Sequence, residues 1–373
     1  MRKTIYQSLL VMLFTPLTLE AKVTDIVNQV CNKNIVILAE LPSHGELRTF
    51  QTKADLVQRL VLECGFNKIH FEAPIYEFIE LQLLTTNNQA SPKHLDDALG
   101  GFWTPTELEA WRKWLFAQAQ TNQLKLVGLD DQISASSHLT RKQLPELFQK
   151  HLPQASLKKC QTVLKRDLFW LYDANNPYNK EAHKKVLQCV KSAKNFATST
   201  NNGVTKDSTD SVKLKNLENL YLRSINSKKN NNRDQRMYKN FKWHHEAEDK
   251  HIIWTSTVHA TKQAITSSYT PLGTYLNQEY QNQLAVIGFT AYTGMSSRAG
   301  NKPQVIETAP DDSLEALIVN TKDDMMYLNN TTLKEKKLMK SRLHGSFTQE
   351  NWHQLYDGVI LFRNERAPTF NKK

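Results

Sequence analysis

Glu40, His44 and Glu72 are the residues of this 373-residue chain whose types and spacing most readily do chemistry. Glu40 closes the run Ile37-Leu38-Ala39 and is followed by Leu41-Pro42-Ser43-His44-Gly45-Glu46, and Glu72 closes Ile69-His70-Phe71. A histidine beside carboxylates titrates near neutrality and can take a proton from water, which acid–base hydrolysis requires. Gly45, directly behind the histidine, is expected to let the backbone turn tightly there.

Such groups meet only if the right elements carry them. Both carboxylates end short, β-branched apolar runs that read as buried strands. In an open parallel sheet, ligands bind beyond the carboxyl ends of the strands, so neighbouring strands would deliver both carboxylates and the imidazole to one crevice. Strands are expected near 34–39, 67–72 and 124–129, with helices near 47–64 and 105–120, and strands return at 251–255, 284–289 and 358–362. Between them, Leu157, Cys160, Val163, Leu164, Leu168 and Leu171 recur at helical spacing, as do Leu214, Leu217, Leu220 and Tyr221. The reading is α/β: a mainly parallel central sheet flanked by helices, with a helical insertion. Residues 22–139 and 246–373 form the two halves of the α/β domain, and residues 140–245 the insertion.

The apolar share of 40% is that of a globular protein. The net charge of +11 is concentrated in residues 180–242, where fifteen Lys/Arg stand against five Asp/Glu. That run reads either as a solvated helical face or as a contact for an anionic polymer, without specific nucleic-acid recognition. Residues 198–211 and 227–232 within it read as polar loops. The start is basic (Met1-Arg2-Lys3), then apolar over 8–17, with a cleavage-like Leu19-Glu20-Ala21. It reads as a signal peptide over 1–21, too short to span a bilayer, and implies a periplasmic or secreted product with no membrane span. In an oxidising compartment the four cysteines can pair; chain order favours Cys31–Cys64 and Cys160–Cys189 among three pairings, free thiols being the alternative.

Several chemistries are disfavoured. No P-loop or dinucleotide fingerprint occurs, and His244-His245-Glu246 does not continue as a zinc-protease motif. Ser43 lacks the glycine that a nucleophile elbow needs where Leu41 stands.

The segment 35–72 resembles the N-terminal signature of the erythromycin esterase family, with its G-E-x-x-H-G core, helix, and G-F before a strand ending in Glu. Further blocks agree in order: Gly101-Phe102-Trp103-Thr104, Val127-Gly128-Leu129-Asp130, Arg233-Asp234-Gln235-Arg236-Met237 through Asn240, Ile253 through His259, and Gly273-Thr274-Tyr275-Leu276. The resemblance implies metal-independent ester hydrolysis with His44 as general base on water, Glu40 and Glu72 orienting it, and His259 on the opposite wall. His259 ranks first as oxyanion donor, with Lys53 and Arg233 as alternatives. Asp130 either lines the site or caps the following helix. Two positions depart from the family pattern: Ala39 replaces a glycine, and Ser256 takes the first place of a histidine pair spaced three residues apart. A small ester substrate is implied, but not specifically a macrolide. No cofactor is required, although Glu40, His44, Glu72 and His259 could also ligate zinc or manganese. The alternative reading is a non-enzymatic envelope protein that binds haem or another ligand on the same fold.

Overall fold

The computed structural model describes residues 17–133, 137–199, 208–226 and 233–371. The strands in chain order are β1 (Ile35–Glu40), β2 (Lys68–Pro74), β3 (Lys125–Asp130), β4 (His251–Ser256), β5 (Leu284–Ser296), β6 (Gln304–Ile306), β7 (Met325–Asn329), β8 (Leu338–Ser341), β9 (Thr348–Asn351) and β10 (Gly358–Glu365). All but β8 and β9 join one sheet, in which the order runs β3-β2-β4-β1-β5-β10-β7 and β6 pairs with β5. Every pairing from β3 to β10 is parallel; only β6 and β7 run antiparallel to their neighbours. Burial follows from this topology, because a parallel sheet is covered on both faces. All of β1 and all of β4 are buried. The pleat divides β1 between two cores: Val36 and Leu38 pack on one face, Ile35, Ile37 and Ala39 on the other.

The helices that matter here are α1 (Leu17–Val30), α2 (Leu47–Cys64), α3 (Ile75–Thr86), α4 (Pro92–Leu99), α5 (Glu109–Gln120), α6 (His138–His151), α7 (Gln154–Leu168), α8 (Lys180–Ser199), α9 (Thr209–Ile225), α10 (Arg233–His244), α11 (Thr257–Ala260) and α12 (Leu272–Tyr280). Helices α6 to α9 share a third core, which reaches the sheet layer through Ile75, Tyr76 and Ile79 of α3. Helix α10 falls within the stretch expected as the insertion, yet Met237 and Phe241 pack in the core of the sheet instead.

Both disulfides close in the pairing that chain order favoured. Cys31–Cys64 ties the end of α1 to the end of α2, and Cys160–Cys189 ties α7 to α8. Part of the basic excess of 180–242 turns inward: Lys213 pairs with Glu80, Arg223 with Asp131 and Arg233 with Asp130. Of the expected leader, residues 1–16 lie outside the described residues, and α1 opens within its expected end. The expected loop 227–232 and most of 198–211 also lie outside them. No helix among the described residues is long and apolar enough to cross a membrane.

Candidate active site

Four adjacent strands carry, at or near their carboxyl ends, the residues the sequence singled out. Across the sheet these are Asp130 on β3, Glu72 on β2, Ser256 on β4 and Glu40 on β1. Glu40 stands opposite Ser256 in the β1–β4 register. The carboxyl edge of the sheet therefore carries a row of acids, and the loops and helices beyond it supply the groups that face them.

Glu40 is fully buried and accepts from three donors. His44 Nδ1 lies 2.9 Å from Oε1, Trp103 Nε1 donates to the same oxygen at 2.9 Å, and the Lys53 ammonium pairs with Oε2. The contact with His44 fixes the imidazole's tautomer: Nδ1 carries the proton and gives it to Glu40, leaving the Nε2 lone pair open. Phe102 lies against the same ring at 5.0 Å and Trp103 meets it edge-on at 5.8 Å. Burial lowers the pKa of His44, the Arg298 charge adds to the effect, and the nearby carboxylates oppose it only in part. The ring is thus neutral at pH 7, the state a general base needs.

The turn that presents His44 differs from expectation. His44 itself takes the left-handed conformation, with φ of 49°, an uncommon place for a residue with a side chain. Gly45 is needed for close approach instead: a Cβ there would sit 2.7 Å from the carbonyl oxygen of Ser297, whose amide donates to the Gly45 carbonyl. Strain held at a functional turn requires surroundings that over-determine it. Here Arg298 supplies them, donating to the carbonyls of Pro42 and Ser43.

Glu72 anchors the other half of the site. Its Oε2 accepts from Thr255 Oγ1 at 2.8 Å, Ser256 N at 2.9 Å and Ser256 Oγ at 3.1 Å. Its Oε1 lies 3.0 Å from Arg233 Nη2, 3.1 Å from His259 Nε2 and 4.0 Å from His44 Nε2. Burial would raise its pKa, but His259, His44 and Arg233 more than offset that and hold it well below the usual carboxylate range. His259 has Nδ1 2.7 Å from Asp234 and 3.0 Å from the Tyr269 hydroxyl. Burial pushes its pKa down, yet the carboxylates of Glu72 and Asp234 dominate and lift it to about 10. The carboxylates thus favour the imidazolium, with Nε2 donating to Glu72, so that the approach of Arg233 Nη1 to Nε2 is a contact of two donors and not a hydrogen bond. Arg233 lies 3.0 Å from His259 Nε2 and is clasped by Asp130 through Nε at 3.1 Å and Nη2 at 2.7 Å.

The residues named from the sequence thus divide into two groups. Glu40, His44, Glu72, His259, Arg233, Asp130 and Ser256 form one connected network. Lys53 belongs to it only from beneath: it is fully buried, pairs with Glu40 and lies 4.3 Å from the Trp254 ring, so it is not open to substrate as expected. Position 53 shares the inward face of α2 with Phe50, Ala54 and Val57. Trp103, Phe102 and Asp234 lay in quoted blocks without an assigned role, and Tyr269 had no local signal. A divalent metal does not fit. Both Glu40 oxygens and both Glu72 oxygens already accept from protein donors, His259 has both nitrogens engaged, and Arg233 already supplies a positive charge against Glu72 at 3.0 Å. The same contacts engage both nitrogens of His259, whereas Nε2 of His44 has no hydrogen-bond partner among the described residues. No grouping of three or more potential ligands among the described residues could hold a metal ion.

Comparison with known proteins gives a consistent picture. The erythromycin esterase family profile matches residues 61–365. No curated protein gives a significant match by sequence. Among solved structures, a Bacillus cereus protein is 16% identical with a TM-score of 0.69, covering 94% of this chain and 93% of its own. A succinoglycan biosynthesis protein is 14% identical with a TM-score of 0.69, covering 94% and 92%. A mutant of the erythromycin esterase EreC in its open conformation is 15% identical with a TM-score of 0.64, covering 94% and 95%. At these identities the likeness is one of fold.

Proposed function

The chain belongs to the erythromycin esterase family, and from its own geometry we propose that it is an exported hydrolase cleaving an ester or lactone with water activated by His44. The observation that carries this reading is the placement of His44: Nδ1 lies 2.9 Å from Glu40, and Nε2 faces Glu72 Oε1 at 4.0 Å, an oxygen that is itself 3.0 Å from Arg233 and 3.1 Å from His259.

In the proposed reaction, water gives its proton to His44 Nε2 as its oxygen attacks the carbonyl carbon. The C=O π pair moves onto oxygen, and the resulting oxyanion is stabilised by the Arg233 guanidinium and, at longer range, by the charge of His259, both in place before the substrate arrives. Glu40 stabilises the imidazolium that forms at His44. Collapse of the tetrahedral intermediate breaks the C–O bond, and His44 returns the proton to the departing alkoxide. Glu72 keeps His259 charged and Arg233 in place, positioned in turn by Thr255 and Ser256.

The test is turnover of a panel of esters, lactones and macrolides by wild type and His44→Ala, followed by mass spectrometry. Loss of a positioned general base should cost about 10²-fold or more in rate, with the fold retained. Turnover unchanged in His44→Ala would reject the mechanism. Export is supported by the two disulfides, which suit an oxidising compartment. Recovery of the oxidised chain only from the cytoplasmic fraction would reject that part.

A further inference from the structure

The residues just before His44 form one wall of a cavity of about 820 Å³ that the mechanism leaves unused. Opposite Pro42 and Ser43, its lining carries Arg298, Lys302 and Arg342, against the carboxylate of Glu307. Among the described residues neither guanidinium forms a close ion pair, although Glu315 and Glu307 act on Arg342 at longer range and Phe347 lies 4.6 Å beneath it. Arg298 donates to the carbonyls of Pro42 and Ser43, and Arg342 to those of Glu307 and Tyr292. Arg342 is 9% exposed, and its buried Nε has no hydrogen-bond partner. A buried cation with an unused donor is costly unless an anion completes it. The planar guanidinium fork suits carboxylate, phosphate or sulfate.

The cavity lies beside the chemistry, with Arg298 and Phe102 between them. The Arg298 guanidinium lies 5.4 Å from the Phe102 ring, and Phe102 lies 5.0 Å from the His44 ring. We propose that this cavity is the recognition subsite for an anionic group of the substrate, a carboxylate, phosphate or sulfate, whose ester or lactone lies at His44; the assignment rests on the hydrolase reading above. An anion beside Arg298 would also offset that residue's field at His44, making the base stronger only when substrate is bound.

The test uses the full chain carrying His44→Ala, so that ligand is not consumed. Ethyl hydrogen glutarate, which carries a carboxylate, and diethyl glutarate, its neutral counterpart, are titrated separately and followed by NMR. The monoester should bind about tenfold tighter or more, as a charge-assisted contact implies. That preference should shrink with added salt, and Lys302→Glu and Arg342→Gln should each erase most of it. Lys302 is exposed, so its replacement reports on the cavity even where loss of Arg342 harms folding. Competition by inorganic phosphate or sulfate then ranks the anions. Equal affinity for the two esters, or a preference that survives Lys302→Glu, overturns the proposal. Turnover of diethyl glutarate and the wider ester panel by wild type is measured in parallel. Its absence beside an intact anion preference would reject the hydrolase reading and leave the anion site standing.

Discussion

Asp234→Asn removes one of the two carboxylates that keep His259 charged, while conserving size and an oxygen for the Leu272 amide, which Asp234 accepts at 2.9 Å. With a pKa of about 10 in the fold against an ordinary 6.5, protonated His259 contributes roughly 5 kcal/mol to stability by linkage. The sign follows from the pKa being raised. The contribution is complete below pH 6.5 and drains away as pH climbs through 10. Loss of a charge-assisted hydrogen bond at 2.7 Å should remove about 2 kcal/mol of it, more than a tenfold fall in proton affinity. Nitrogen-15 NMR titration of His259 in both proteins, beside urea unfolding at intervals from pH 6 to 10, reads both quantities. The variant's stability should fall at lower pH than wild type's, and its ester turnover should weaken over the same range as the imidazolium is lost. A His259 that titrates near its ordinary value in wild type, or is unmoved by Asp234→Asn, would refute the preformed cation.

Burial lifts the Glu46 pKa to about 7, so the wild-type fold should lose about 3 kcal/mol as pH rises from 4.5 through 7. Glu46→Gln should flatten that slope, which urea midpoints across the range would show. Gly45→Ala places a Cβ 2.7 Å from a backbone oxygen of Ser297. It should cost about 1–3 kcal/mol by overpacking and lower kcat more than KM, because the displaced residue is the proposed base.

Much of this arrangement is legible in the sequence because the sheet writes itself as β-branched runs. Ile35-Val36-Ile37-Leu38 and Lys68-Ile69-His70-Phe71 lead to Glu40 and Glu72; β1 closes at Glu40, whereas β2 runs two residues past Glu72 to Pro74. Helix α10 shows where legibility stops. Met237 and Phe241 mark an apolar face, but spacing alone cannot say whether that face meets the sheet or the insertion, and it meets the sheet. Lys53 is a similar case: as a cation near the motif it reads as an alternative oxyanion donor, yet it is buried and pairs with Glu40. Tyr269 sits in a loop without periodicity, and only the folded chain brings it to Asp234.

The deeper gap concerns protonation. His44 and His259 are the same residue type, each within hydrogen-bond reach of at least one carboxylate, and nothing in their flanking residues tells them apart. The fold does. At His44 burial outweighs the pull of Glu72 and Glu46, with Arg298 and His259 adding to it, so desolvation prevails and His44 stays neutral. Asp234 and Glu72 close on His259 from both sides, so charge prevails and it stays protonated. Environments that push two like groups apart are what divide base from acid in a hydrolytic site. Ser256 fits this division. Where the family tends to carry a histidine, a serine lends Glu72 two donors without adding a third positive charge, so Glu72 remains free to hold His259 and Arg233 together.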